Sequence, residues 1–152
     1  MPQSLDLPAL LHRLHACVDA REWLNGKTAA VAWRTCPRGN WLLWVAGNVG
    51  VERQILVRAA LACARTALPY CTEETVGMVL LCHHIADEWL EGREDLDTLR
   101  AAAWAAAWAA ARAAGAAGDA RDAAVRRSLA ECARIVRRLI PYRVMLAAAR
   151  TK

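Results

Sequence analysis

Two sets of residues in this 152-residue chain have the types and spacing to do chemistry. The first is Cys82-His83-His84 with Asp87 and Glu88. On a helix, His83/Asp87 and His84/Glu88 are four apart and so neighbours along one face. His12 and His15, three apart on another helix, would complete a divalent-metal site if the two helices faced each other. Neither the Glu-x-x-His pair of di-iron bundles nor H-E-x-x-H occurs. The plainer expectation is that His83 and His84 lie at the surface or its boundary, with no metal and no cofactor. Six cysteines, at 17, 36, 63, 71, 82 and 132, include no C-x-x-C pair. Most of them are expected to be reduced, buried small hydrophobes. Cys63, near Arg65, is the one candidate for an activated thiol, but its apolar surroundings favour an inert one. No G-x-S-x-G, Walker loop or G-x-G-x-x-G is present, so the chain reads as a non-enzyme.

The second set is basic. Arg126, Arg127, Arg134, Arg137 and Arg138 fall within an arc of about 120° at helical periodicity. Val125, Leu129, Cys132, Ile135, Val136, Leu139 and Ile140 occupy the rest of that helix. Such a face could grip phosphates or an acidic partner. The bland alternative is a solvated face, partly neutralised by Glu131 and by the acidic segment 71–97. Arg53, Arg58 and Arg65 form a secondary set on an earlier helix. They could pair with the same acids or line an anion pocket. Charge is segregated along the chain. Residues 71–97 carry eight acids against Arg93 alone, and 112–152 carry ten bases against three acids. The overall charge of +5 therefore conceals a dipolar molecule. Lysine occurs only at 27 and 152. Abundant alanine and arginine also follow from a GC-rich genome.

These residues must be carried by helices. Length suits a single domain, 1–152, and 57% apolar composition suits a packed core. The N-terminus lacks a signal peptide, so a cytoplasmic location is expected. Asp6 and Pro8 predict a helix start, and the stripe Leu7, Leu10, Leu11, Leu14, Cys17, Val18 carries it towards Asn25-Gly26. Residues 35–40 read as a loop. A short apolar helix follows, ending at Gly47-Asn48 or Gly50. Helices are then predicted from about 51 to 68, 72 to 90, 95 or 97 onward, 119 to 140 and 142 to 149. The expected fold is an all-α helical bundle of six or seven helices.

The run AAAWAAAWAAARAAG at 101–115 contains eleven alanines. Arg112 and the weak hydrophobicity of alanine argue against a membrane span, and helix propensity argues against a linker. The run should be a helix closely packed on the alanines that follow Gly118, with Trp104 and Trp108 wedged into the core. The block Trp33, Trp41, Trp44 should pack the N-terminal helices onto the 51–68 helix.

One resemblance rests on quoted residues. The block Trp33-x-x-Cys36-x-Arg38-x-x-Trp41-Leu-Leu-Trp44 is followed by Arg53, Val57, the stretch Ala59 to Arg65 and Ala67-Leu-Pro69. Then come Ala86-x-x-Trp89-x-x-Gly92, alanine-rich helices and the ending Ile135-Val-Arg-x-Leu-Ile-Pro141. Over about residues 12 to 146 this resembles the Imm-5-like immunity proteins of bacterial and phage genomes. The resemblance implies an all-α fold and no catalysis. Here the alanine tract is short, and Arg143 stands where the pattern has an acid. Together these readings give an expected function: a non-enzymatic protein, immunity-like or a phage-encoded inhibitor, that binds a protein partner such as a toxin or host factor. An Arg-rich binder of nucleic acid or of a phosphorylated small molecule is the alternative.

Overall fold

The structure, a computed structural model, describes residues 5–103, 105 and 119–151. Among these the chain is all helical, without a strand. In chain order the helices are α1 (Leu7–Arg13), α2 (Val18–Leu24), α3 (Ala29–Thr35), α4 (Gly39–Val49), α5 (Arg53–Arg65) and α6 (Glu73–Leu90). They continue with α7 (from 96), α8 (Asp119–Leu139) and α9 (Tyr142–Arg150), and a 3-10 turn at Leu68–Tyr70 joins α5 to α6. The described part of the alanine run, 101–103 and 105, continues α7. Trp104, Trp108 and the predicted hairpin with the helix after Gly118 lie outside the described residues.

The predicted first helix is two. Asp6 caps α1 as expected, its carboxylate accepting from the Ala9 N–H at 3.0 Å. The stripe then breaks at His15, which adopts a left-handed φ of 52°. The His15 N–H reaches the His12 carbonyl and the Ala16 N–H reaches back to Leu11 at 2.9 Å, a Schellman closure built without glycine. Gly50 (φ 92°) and Gly92 (φ 77°) end α4 and α6 with the same pair of bonds. Helix α3 is an addition to the sequence reading. It starts where the Thr28 hydroxyl accepts from the Val31 N–H at 3.3 Å, and it stops short of Pro37.

Helix α8 is the spine, packing on α4 and α5. Its crossing with α4 depends on Gly39. A Cβ there would sit 2.5 Å from Cys132 Cβ and 2.6–2.7 Å from backbone atoms of Cys132 and Ala133. Ala46, Ala133, Val136, Ile140 and Met145 are fully buried in this main core, which draws on α1 to α5, α8 and α9. A smaller core of Leu61, Ala86 and Leu99 joins α5, α6 and α7. No helix among the described residues is long and apolar enough to cross a membrane.

Candidate functional site

Periodicity divides α8, although Val125 and Leu139 of its apolar side stay exposed. Ala133, Ile135, Val136 and Ile140 are buried, while Arg126, Arg127, Arg134 and Arg138 are exposed. The structure thus places four of the five predicted arginines together on one solvent face. Arg137 sits at the edge of that face. It is half-buried, and its Nη1 donates to the Cys36 carbonyl at 2.7 Å. That bond ties α8 to the end of α3 and makes Arg137 a structural strut. Arg134 pairs with Glu131 one turn away.

The acids of 71–97 do not neutralise this face. Among the described residues their partners are Arg65, Arg93 and Arg100. Asp87 binds Arg65 at 2.5 Å, Glu88 and Glu91 both bind Arg93, and Asp97 meets Arg100 at 3.4 Å. The Arg93 guanidinium holds the Glu88 carboxyl below the usual carboxylate range, and Glu88 and Glu91 in turn push Arg93 up. Of the secondary set, Arg65 is therefore consumed by Asp87. Arg53 and Arg58 are exposed and make no ion pair among the described residues.

A recess lies where α8 passes the loop between α3 and α4. Pro37, Arg38, Val125, Arg126 and Leu129 line about 420 Å³ there. Val125 is 44% exposed. The Arg38 guanidinium carbon stacks 4.3 Å over the Trp41 ring, leaving its Nε buried without a hydrogen-bond partner. The arginine face thus adjoins an apolar floor, which the charge pattern alone did not reveal.

The histidines do not assemble a metal centre. Helix α1 packs against α2, and α6 against α5. Among the described residues no three His, Cys, Asp or Glu side chains converge to hold an ion. His83 is buried at 7% exposure, deeper than expected, and His84 is exposed. Desolvation lowers the His83 pKa, reinforced by Arg65 and opposed by Asp87. Among the thiols, Cys63 faces Cys132 across the α5–α8 seam, its Sγ donating to the Cys132 carbonyl at 3.6 Å. Burial and the neighbouring sulfur push it up to about 12, so it stays protonated near neutral pH. Burial also raises Cys36, against the lowering influence of the Arg38 backbone and of Arg137 and Arg38. Of the six thiols only Cys36 and Cys63 are buried and Cys17 is exposed, so fewer are buried than expected.

The tryptophan block behaves differently from the sequence reading. Trp33 is buried, and its indole N–H donates to the Ile140 carbonyl at 3.2 Å, so it anchors the end of α8. Trp41 leans on Trp23 of α2, with ring centroids 6.2 Å apart at 57°. Trp44 remains 39% exposed. These four rings border a cavity of about 450 Å³ between α1–α2 and α3–α4. Sequence spacing alone does not mark it, because it depends on which residues share a wall. Small residues at 16, 20 and 32 share the wall with the large rings, and ring next to methyl leaves space. No family model, no curated protein and no solved structure matches the chain.

Proposed function

We propose that the protein is a non-catalytic binder of a macromolecular partner, in the manner of an immunity protein or a phage-encoded inhibitor. Arg126, Arg127, Arg134 and Arg138 are the contact residues on an acidic protein surface. The observation that carries this reading is the division of α8: one face is locked in the core, and the opposite face presents guanidinium groups that the chain's own acidic segment leaves unpaired. Guanidinium groups are weakly hydrated and bind carboxylates in a planar fork, so such a face suits carboxylate recognition. The adjoining recess of Pro37, Val125 and Leu129 supplies the apolar contact that protein interfaces use at their centre. Phosphate-backbone binding has no need of that floor, which favours a protein over nucleic acid. The resemblance of the Trp33–Trp44 block to immunity proteins supports the same class.

The test is capture from the native host with the wild-type chain and with Arg126→Glu/Arg138→Glu. A specific partner released by salt and lost in the double variant is expected. Recovery of no partner, or equal capture by the variant, refutes the reading. A salt-dependent mobility shift with duplex DNA or RNA that the double variant loses would replace it with the nucleic-acid alternative.

A further inference from the structure

The cavity between the two N-terminal helix pairs has no part in the arginine face, and it is built differently. Its walls come from α1, the α1–α2 turn, α2, α3 and α4. Four of the five tryptophans in the described residues border it: Trp23, Trp33, Trp41 and Trp44. At about 450 Å³ it lies within the range of small-molecule sites, roughly 300–1,000 Å³, and its lining is mostly apolar as such sites are. His15 and Asn40 are its main hydrogen-bonding side chains. Water needs two to four polar partners to be held well, and this wall offers few.

Two features point to the chemistry of an occupant. First, the ring of Trp23 carries Lys27 at 4.5 Å and that of Trp41 carries Arg38 at 4.3 Å. Each cation occupies one ring face, and the two rings pack against each other at a tilt of 57°. The aromatic wall is thus fixed before any ligand arrives, which lowers the entropy cost of binding. Second, Trp33 spends its N–H on Ile140, so it offers the cavity only ring surface. Flat apolar surface beside small Ala20 and Ala32 suits a planar body. A cationic guest is disfavoured, because stacking on Trp23 or Trp41 would bring it close to the positive charges of Lys27 and Arg38.

We propose that this cavity is a binding site for a small, uncharged aromatic molecule of one or two fused rings, held by stacking and apolar contact among Trp23, Trp33, Trp41 and Trp44. The site is independent of the arginine face.

The experiment titrates the intact chain with N-phenyl-1-naphthylamine and follows probe emission, tryptophan quenching and Tm. Saturation at one probe per chain, energy transfer from tryptophan and a raised Tm are expected. Ala20→Leu fills the cavity from α2 and should weaken binding about tenfold, the equivalent of losing about 1.4 kcal/mol. Trp44→Ala removes a half-exposed wall residue and should weaken binding while the fold persists. It keeps the question open to test should Ala20→Leu fail to fold. Leu80→Gln/Leu81→Gln, on the exposed apolar surface of α6, and Arg126→Glu/Arg138→Glu should both leave binding unchanged. Non-saturating binding, binding indifferent to both cavity variants, or binding lost in the α6 variant would overturn the proposal.

Discussion

Replacing Gly39 with alanine should reverse the usual effect of that substitution. In an open helix position, glycine to alanine stabilises by roughly 0.5–1 kcal/mol, because alanine loses less backbone freedom on folding. At Gly39 the new methyl would lie 2.5 Å from Cys132 Cβ, 2.6 Å from the Cys132 carbonyl carbon and 2.7 Å from the Ala133 nitrogen. Relaxed carbon contacts need about 3.5–4.0 Å. Two of the three atoms are backbone, so no rotamer change clears them and α4 must move off α8 by about 1 Å. The seam that would open holds Ala46, Ala133 and Val136, each with 0% exposure. Overpacking of this kind costs about 1–3 kcal/mol, and a rigid neighbour places it at the upper end. At about 2–4 °C per kcal/mol for a chain of this size, Tm should fall by about 6–12 °C. Gly77, inside α6 with nothing within 4 Å of its added Cβ, is the matched control. Gly77→Ala should raise Tm by about 1–4 °C. Differential scanning calorimetry of the two variants gives the answer. A Gly39→Ala protein as stable as its parent would show that α4 and α8 do not cross this closely.

Three further outcomes follow from the geometry. Arg137→Ala should lower the urea-unfolding free energy by about 1.5 kcal/mol through loss of a charged hydrogen bond to the Cys36 carbonyl, whereas Arg138→Ala should change it by less than about 0.5 kcal/mol. His83 has a lowered pKa in the folded state, so the unfolded chain takes up its proton first. Its contribution is complete above the unfolded value of about 6.5 and is lost as pH falls below it, so His83→Gln should flatten the urea midpoint against pH between 7 and 5. Thiol labelling at neutral pH should modify Cys17 quickly, while Cys63 reacts only on unfolding, since it is buried and held protonated with a pKa of about 12. Rapid native labelling of Cys63 would contradict the α5–α8 packing.

The helical class and several boundaries were legible because local chemistry sets them. Asp6 caps, Gly50 and Gly92 close, and Pro141 stops α8, all within reach of neighbouring backbone. The break at His15 was not legible, because a left-handed histidine carries no mark in composition. The arginine face was readable from a period of 3.6, but the diversion of Arg137 was not. It depends on a carbonyl 101 residues away. The tryptophans announced burial without announcing partners. Trp33 found Ile140, Trp41 found Trp23, and the space left between them is a tertiary property that spacing does not encode. The buried His83 likewise reflects how α6 lies on α5, not anything in the local run Cys82-His83-His84.

Helix α5 is shared by both cores, with Ala59 and Cys63 turned to the large one and Leu61 to the small one. Among the described residues the small core has only Leu61, Ala86 and Leu99 buried, and its ion pairs are surface ones worth little each. Lifting α6 and α7 would expose one flank of α5 and leave the grip of α4 and α8 on the other flank intact. Opening should therefore be graded, with amide protons of α6 exchanging through a cheaper partial opening than those of α4 or α8. A protease would meet α6 first. The two pieces left behind, one with the tryptophan-lined cavity and one with the arginine face, would still be held together by the packing of α4 and α5 on α8.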